Sequence, residues 1–423
     1  MSHISARDAY QSLEQRLNRF PQGAPPSETL YKILALLFSE SEAALVAQLP
    51  IRPFAAKRAA QIWGMSHREA VKVLDGLCAR CVLMDMESGD EKTYVLPPPM
   101  AGFLEFSMMR MREDLDQKLL GELFYQYMNV EEDFVKALFF STETRLGRVF
   151  VNERVLTNEH TIHILDFEKA SHIIASASHI GISMCYCRHK MQHVGKNCEA
   201  PIDDICMTFG NTADSLIRHD YARRVEASEC LEILYKAYDY NLVQCGENVR
   251  NEVSFICNCC GCCCEALVAA RKFGSLHPVA TTGYLPKVSL EPCTGCGLCA
   301  KACQIEAITM TSMGEKKIAQ VDEAVCLGCG LCLRACPKKC ITLQKSGQSI
   351  ITPSSSVHRI VLMAIEKGML QELIFDNKAL FSHRAMAAIL SAILKMPPIK
   401  QMMASAQMRS VYLEKLISGQ RLK

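Results

Sequence analysis

Cysteine thiolates are the side chains in this sequence whose number and spacing point to chemistry. The chain has 23 cysteines in 423 residues, and all but two of them lie between Cys185 and Cys340. The total is odd, and chain neighbours such as Cys259 and Cys260 do not easily reach the geometry of a disulfide bridge. Metal ligation therefore explains the clustering better than a disulfide framework.

Two runs of cysteines share the spacing C-x2-C-x2-C-x3-C. The first run is Cys293, Cys296, Cys299 and Cys303, and the second is Cys326, Cys329, Cys332 and Cys336, followed by Pro337. Three thiolates at two-residue intervals on a tight loop can converge on three corners of one cubane cluster, whereas a zinc ribbon needs two C-x2-C pairs. Six apolar residues are predicted to wrap the loops: Leu298, Ile305, Ile308, Leu327, Leu331 and Ile341.

The tandem runs resemble the bacterial two-cluster ferredoxin. This resemblance implies two 4Fe-4S clusters, with the fourth cysteine of each run ligating the other cluster. One cluster then takes Cys293, Cys296, Cys299 and Cys336, and the other takes Cys326, Cys329, Cys332 and Cys303. Gln304 stands where that family usually has proline.

Four more cysteines form a second group within 22 residues: Cys185, Cys187, Cys198 and Cys206. Their spacing fits no common zinc-finger pattern, so we interpret them as ligands of an iron–sulfur cluster. Zinc, and packed or regulatory thiols, remain the alternatives. His189 and His193 are further candidate ligands. Arg188 is either a cation beside a cluster, where it raises the potential or docks a partner, or a solvated arginine.

The third group is denser, with six thiols in eight residues: Cys257, Cys259, Cys260, Cys262, Cys263 and Cys264. Four ligands suffice for one cubane, so some thiols are spare, are shared with the Cys185–Cys206 group, or serve a cluster of open or non-cubane geometry. A purely structural role is a weaker interpretation, because packed thiols risk oxidation.

The order of these motifs from Asp166 to Ile341 resembles a group of multi-cluster iron–sulfur proteins from anaerobic bacteria and archaea. The resemblance implies one or two additional iron–sulfur clusters beside the two ferredoxin clusters. It implies electron transfer, without one settled reaction.

Hydrophobic periodicity predicts short helices and a hairpin in residues 1–99. Ser66 is placed to cap a helix that runs to Leu77, and two strands flank a turn at Gly89. Helices followed by a two-stranded wing resemble a winged helix. Five basic residues offer phosphate contacts: Lys57, Arg58, His67, Arg68 and Lys72. Interleaved acidic residues favour a docking or structural role over DNA binding. Cys78 and Cys81 are predicted to be buried thiols rather than a metal site.

We therefore expect an α+β multidomain protein. Its segments are a winged-helix-like domain at 1–99, a helical region at 100–168, a cysteine-rich cluster-binding region at 169–285, a two-cluster ferredoxin module at 286–345 and a helical C-terminal region at 346–423. In the last region, Ile360–Leu373 and Ala385–Leu394 are predicted to form helices of a cap or partner-docking arm.

Composition limits the function classes. With 49% hydrophobic and 22% charged residues, the chain is globular rather than disordered, and its formal net charge of +2 draws it to neither nucleic acid nor anionic lipid. The N-terminus lacks the apolar stretch of a signal peptide, and no window is apolar enough to span a membrane. We expect a cytoplasmic protein. No nucleotide-binding glycine loop is present.

These observations predict an iron–sulfur electron-transfer protein, or an electron-transfer subunit of a larger redox complex, with a redox protein as partner. Nucleic acid is not the expected partner. One alternative is a reductase with a catalytic iron–sulfur site at Cys257–Cys264. The other is a redox-sensing DNA-binding regulator. Lys301, Arg334, Lys338 and Lys339 are a candidate docking patch, or compensate the charge of the clusters.

Overall fold

The computed structural model of the chain describes residues 6–89, 91–156, 168–314, 316–347 and 350–375. It is a mixture of helices and antiparallel sheets, which confirms the α+β class. The chain divides into two compact units. The first comprises residues 1–107, 141–144 and 353–423, and the second comprises residues 108–140 and 145–352. Within the described residues, no helix has the length and apolarity needed to cross a membrane.

The first unit opens with helices and a small sheet. In chain order these are α1 (Ala6–Leu17), α2 (Glu28–Leu37), α3 (Glu40–Val46), β1 (Phe54–Ala55), α4 (Ala56–Trp63), α5 (His67–Cys78), β2 (Met84–Ser88), β3 (Glu91–Val95) and α6 (Leu104–Phe106). The three strands pair antiparallel in the order β1-β3-β2. Ser66 begins α5 with a capping box, in which its hydroxyl accepts from the Glu69 N–H and the Glu69 carboxylate accepts from the Ser66 N–H. The predicted cap and hairpin are therefore present.

The second unit carries the remaining sheets. Its elements are α7 (Gln117–Tyr125), α8 (Asp133–Phe139), β4 (Gly147–Val149), α9 (Ala170–Ser176), β5 (Ile180–Ser183), α10 (Tyr186–His193), β6 (Cys206–Phe209), α11 (Gly210–Arg218), β7 (Arg223–Arg224), α12 (Ala227–Asp239), β8 (Val243–Glu247), β9 (Phe255–Cys259), α13 (Glu265–Phe273), β10 (Tyr284–Val288), α14 (Leu298–Ala302), β11 (Ile308–Met313), β12 (Lys316–Val321), α15 (Leu331–Ala335) and β13 (Ile341–Lys345).

Six of these strands form one antiparallel sheet in the order β4-β8-β9-β6-β5-β7. Its register places Cys245 of β8 opposite Cys257 of β9. Met207 of β6 pairs with Ile256 of β9, so the next pair along this register is Cys206 and Cys257. Residues directly opposite each other share a face of the sheet. Three thiols therefore form a row across three neighbouring strands.

The ferredoxin-like segment has two small antiparallel pairs, β10 with β13 and β11 with β12. Helices α14 and α15 each follow a glycine in the left-handed region, Gly297 at φ 74° and Gly330 at φ 83°. Of the six residues predicted to wrap the loops, Leu298 is 45% exposed and the other five are buried. Leu298 is the first residue of α14 and does not contribute to the buried apolar surface.

Two further helices, α16 (Ser356–Glu366) and α17 (Leu370–Ile374), belong to the first unit. Val361 and Ile365 of α16 pack with Ile51 in one hydrophobic cluster. The single helix predicted over Ile360–Leu373 is divided because Gly368 adopts a left-handed φ of 65°. The helix predicted over Ala385–Leu394 lies outside the described residues.

Candidate metal centres

Four cysteines predicted to hold one cluster line a single cavity: Cys293, Cys296, Cys299 and Cys336. Cys336 belongs to the second run, so its presence in this cavity agrees with the crossing that the ferredoxin resemblance implies. A fifth thiol, that of Cys340, lines the same cavity and lies 3.3 Å from the Cys336 thiol. Cys340 falls outside the repeated spacing, so the sequence pattern does not indicate it as a ligand.

Backbone donors surround the first of these thiols. The N–H groups of Ala319 and Gly295 hold the pKa of the Cys293 thiol below its ordinary value, because they stabilise the thiolate. A thiolate is the form that binds iron. The backbone of this loop therefore favours the thiolate form of Cys293 that a metal requires.

The other predicted set is Cys326, Cys329, Cys332 and Cys303. Burial, with a smaller contribution from the negative form of Cys303, raises the pKa of Cys326 to about 11. Burial is the main cause that raises the pKa of Cys329 and Cys332, and the negative form of Cys303 also raises both. The fourth cysteine of the first run therefore lies beside the thiols of the second run.

Gly328 shows how closely the second run is held. It adopts a φ of +75°, and a Cβ atom there would collide with the Tyr284 carbonyl oxygen and the Thr282 hydroxyl. The Thr282 hydroxyl donates to the Gly328 carbonyl at 2.9 Å. Only glycine combines this backbone conformation with such a close approach. Both thiol sets, which lie in tight glycine-containing loops, fit a bound cubane cluster.

Six members of the two upstream cysteine groups form one largely buried arrangement, which we call the six-thiol ring. Its members, in order around the ring, are Cys185, Cys187, Cys264, Cys259, Cys257 and Cys206. Each thiol interacts with the next, and the last interacts with the first. Cys245 adds a seventh thiol, which interacts with Cys259. The ring brings thiols of the six-cysteine segment together with Cys185, Cys187 and Cys206, whereas Cys198, predicted from the sequence to belong with those three, lies in a different set.

Thiol–thiol interactions make the members of the ring unequal. Hydrogen bonds from Cys187 and Cys206, together with the charge of Arg188, hold the pKa of Cys185 well below its ordinary value. Burial and the neighbouring Cys185 thiol raise the pKa of Cys187 instead. One thiolate and one protonated neighbour is the expected state of two close buried thiols in the absence of a metal.

Arg188 lies between the cysteine groups and has no exposed surface. Its guanidinium donates to the Pro201 carbonyl at 3.0 Å and to the Asn258 carbonyl at 2.7 Å. Burial lowers the pKa of Arg188, but the thiols of Cys185 and Cys260 outweigh this and raise it above its ordinary value. Its Nε finds no hydrogen-bond partner in the described part of the chain. A buried cation with an unsatisfied donor fits an anionic group held by these thiols, and excludes the solvated arginine.

The remaining upstream thiols form a separate set, which we call the outer quartet: Cys198, Cys260, Cys262 and Cys263. Their four sulfur atoms all lie within 4.8 Å of one another. The Cys198 and Cys260 sulfurs are 3.6 Å apart, and so are those of Cys262 and Cys263. Cys262 is exposed, whereas Cys260 and Cys263 are buried.

The six-cysteine segment is thus divided between two sites. Cys257 and Cys259 lie on β9, where alternate residues face the same side of the sheet. The chain then turns through Gly261, and Cys264 stands at the N-cap position of α13, where its thiol interacts with Cys187 and Cys259 of the ring. The thiols of Cys260, Cys262 and Cys263, which lie between Cys259 and Cys264 in the sequence, belong to the outer quartet.

The two candidate histidines are engaged with each other and with the backbone. The His189 Nδ1–H donates to the Met108 carbonyl at 2.8 Å, and its Nε2 lies 3.1 Å from the Nε2 of His193. Both ring nitrogens of His189 therefore have partners. Among the described residues, neither histidine belongs to a cluster of thiols close enough to share a metal ion.

A buried ion pair lies on the same helix as Arg188. The Lys190 ammonium donates to the Glu265 carboxylate and, at 2.6 Å, to the Asn129 side-chain oxygen. Asn129 in turn donates to Glu265 at 2.9 Å. Glu265 directly follows Cys264, so this network joins α10 to α13 beside the six-thiol ring.

Other candidate residues have structural partners. Cys78 and Cys81 are both buried, and burial raises the pKa of Cys78. Arg334 pairs with Asp239 at 3.1 Å and donates to Asn241 at 3.3 Å, which ties it to the end of α12. Within the proposed docking patch, Arg334 is therefore committed to a contact inside the chain.

Comparison with known proteins bears on one part of the chain. Residues 286–343 match the 4Fe-4S dicluster domain family. Neither the curated proteins nor the solved structures contain a match to the chain. The match and the cysteine geometry identify an iron–sulfur protein with a ferredoxin-type electron-transfer domain.

Proposed function

We propose that this protein passes single electrons to and from a redox partner through two 4Fe-4S clusters and one further iron–sulfur cluster. The ferredoxin cysteines would hold the first two, and the six-thiol ring would hold the third. One observation carries the proposal: Cys336 lies in the cavity of Cys293, Cys296 and Cys299, inside the segment that matches the dicluster family.

The roles of the chain's own residues follow from their surroundings. Thiolates bind the iron, backbone N–H groups around Cys293 stabilise its negative charge, and Arg188 places a positive charge beside the ring. Five of the six ring thiols are buried and Cys257 is half-buried, which limits the access of water to the ring. A bound cluster supplies one-electron chemistry, so no acid, base or nucleotide site is required.

Contacts between the two regions support a continuous path. Gln304 directly follows Cys303, and its side-chain oxygen accepts from the Gly261 N–H at 2.7 Å. Gly261 directly follows Cys260. The ferredoxin loop and the six-cysteine segment are thus in direct contact, which favours transfer inside the chain over two independent carriers.

The proposal is tested on the full chain, purified without oxygen, by iron and sulfide analysis with spin-quantified EPR. We expect signals of two 4Fe-4S clusters, and Cys293→Ser should remove one of them. Cys230→Ser is the matched control, because Cys230 is a buried thiol of α12 outside every thiol group described. Zinc in place of iron in the ferredoxin domain would contradict the proposal.

A second candidate is a reductase whose catalytic iron lies at Cys257–Cys264. The surplus of thiols in the six-thiol ring, with Cys245 as a seventh, favours it. The test is addition of carbon monoxide or cyanide to the reduced protein. An unchanged EPR spectrum supports the carrier. A spectral shift that is lost in Cys257→Ser, with ferredoxin signals intact, supports the reductase.

For residues 1–99 we propose a winged-helix-like docking domain in a cytoplasmic electron-transfer complex. The order of helices followed by the β2–β3 hairpin, with β1 added to β3, supports this proposal. None of the 23 cysteines, all of which lie in the described residues, forms a disulfide bond, as suits a reducing compartment. Fluorescence anisotropy with duplex DNA should show no sequence preference at physiological salt. A defined binding site that responds to oxidation would support the regulator instead.

A further inference from the structure

The outer quartet differs in kind from the other thiol groups of this protein. Among the residues that the structure describes, it is the only set of four cysteines whose sulfur atoms all lie within 4.8 Å of one another. The eight ferredoxin cysteines form no set this tight, although the dicluster match assigns them to iron–sulfur clusters. The spacing of the sulfurs therefore separates two kinds of site within one chain.

Sulfur spacing reports how many metal atoms a site holds. Four sulfurs at about 2.3 Å from one Zn²⁺ in a regular tetrahedron stand about 3.8 Å apart. In the outer quartet the sulfur–sulfur distances are 3.6 Å for Cys198 and Cys260, 3.6 Å for Cys262 and Cys263, and 3.9 Å for Cys198 and Cys263. The thiolates of a cubane bind four different iron atoms at separate corners and stand further apart.

We propose that Cys198, Cys260, Cys262 and Cys263 bind one tetrahedrally coordinated metal ion, Zn²⁺ or a single iron, instead of an iron–sulfur cluster. Zn²⁺ is the preferred ion, because structural zinc sites are closed by four protein ligands, commonly four cysteines, in tetrahedral geometry. This proposal rests on the proposed function in one respect: the outer quartet and the six-thiol ring share the six-cysteine segment.

The position of the quartet indicates what the ion does. Cys198 lies on the loop between α10 and β6, and the other three lie on the turn between β9 and α13. Cys259 and Cys264 of the six-thiol ring flank that turn, and Gly261 within it contacts Gln304 of the ferredoxin domain. One ion therefore fastens the loop that joins the ring to the ferredoxin domain.

The surroundings are suited to a permanently charged site. Four thiolates around a divalent ion leave two negative charges, and the charge of Cys260 already acts on the buried Arg188. Cys262 is exposed, so the ion can enter from solvent without opening the six-thiol ring.

The experiment is metal analysis of the full chain purified without oxygen, with X-ray absorption at the zinc and iron edges. We expect one zinc per chain with four sulfur neighbours at about 2.3 Å and no neighbouring metal. Cys198→Ser and Cys262→Ser should each lose that zinc while iron, sulfide and the cubane EPR signals stay unchanged. Cys230→Ser should retain the zinc. Mononuclear iron that is lost in the same two variants also supports a single-ion site.

If the protein lacks both zinc and mononuclear iron, or if Cys198→Ser removes several irons with matching sulfide and a cubane signal, the single-ion site is refuted. Absence of cubane signals from the unmodified protein, with the zinc present, would instead refute the proposed function and leave this site intact.

Discussion

The Gly261 amide N–H donates to the Gln304 side-chain oxygen at 2.7 Å, and this contact joins the six-cysteine segment to the ferredoxin domain. The Gln304 amide also donates to the Asn241 carbonyl at 3.1 Å. A Cβ atom at Gly261 would collide with the Gln304 carbonyl oxygen, so no other residue fits there without a backbone shift. Gln304 stands where Pro337 stands in the second run. Glutamine at this position makes two side-chain hydrogen bonds that proline cannot make, because proline has no side-chain donor or acceptor.

Gln304→Pro should loosen this junction. The Gly261 N–H loses its acceptor, and loss of a hydrogen bond worth about 1 kcal/mol should accelerate its hydrogen exchange about fivefold. Hydrogen-exchange mass spectrometry of the peptide that contains Gly261 measures the effect. Pro337→Gln is the matched control and should leave that peptide unchanged. Equal exchange in Gln304→Pro and the unmodified protein would show that the contact does not hold the loop.

Cys340 should substitute for Cys336 as a ligand. The two thiols are 3.3 Å apart and line the same cavity, so Cys336→Ser should retain both ferredoxin clusters and the double variant with Cys340→Ser should lose one. Cys303→Ser should lose a cluster by itself, because Ala307 occupies the position that matches Cys340. Iron content and spin-quantified EPR distinguish these outcomes. Loss of a cluster in Cys336→Ser alone would show that Cys340 cannot reach the iron.

Removal of the Arg188 charge should make the cluster of the six-thiol ring harder to reduce. A buried cation stabilises the more negative, reduced state, so Arg188→Met should lower the reduction potential, by on the order of 60 mV for a tenfold change in a one-electron equilibrium. Arg188→Lys keeps the charge and should shift the potential less. EPR-monitored redox titration measures both. A potential that rises or stays constant in Arg188→Met would contradict an electrostatic role.

The Lys190–Glu265 pair should stabilise the protein only as a pair. Both side chains are buried, at 0% and 3% exposure, so Lys190→Met leaves a buried carboxylate without its partner and should cost about 3–5 kcal/mol. Adding Glu265→Gln should recover much of this loss. Thermal unfolding and protease resistance under anaerobic conditions measure the cycle. Additive losses in the double variant would show that the two groups do not interact.

The ferredoxin domain could be predicted from the sequence because its ligands are set by short-range geometry. Cysteines separated by two or three other residues on glycine-containing loops converge wherever the loop lies, so the spacing alone indicated a cluster. The family match at 286–343 agrees with this prediction. The Ser66 cap and the hairpin of residues 84–95 are equally local, since each depends on residues within one turn or one strand pair.

Tertiary structure decided how the upstream thiols are shared. Cys245 stands alone in the sequence, and only the register of β8 with β9 places it opposite Cys257. No spacing rule separates Cys259 from Cys260, yet one belongs to the six-thiol ring and the other to the outer quartet. Arginine is a residue type that usually lies at the surface, yet Arg188 is fully buried. Strand pairing and burial bring together residues far apart in the chain, whereas a linear pattern records only neighbours along it.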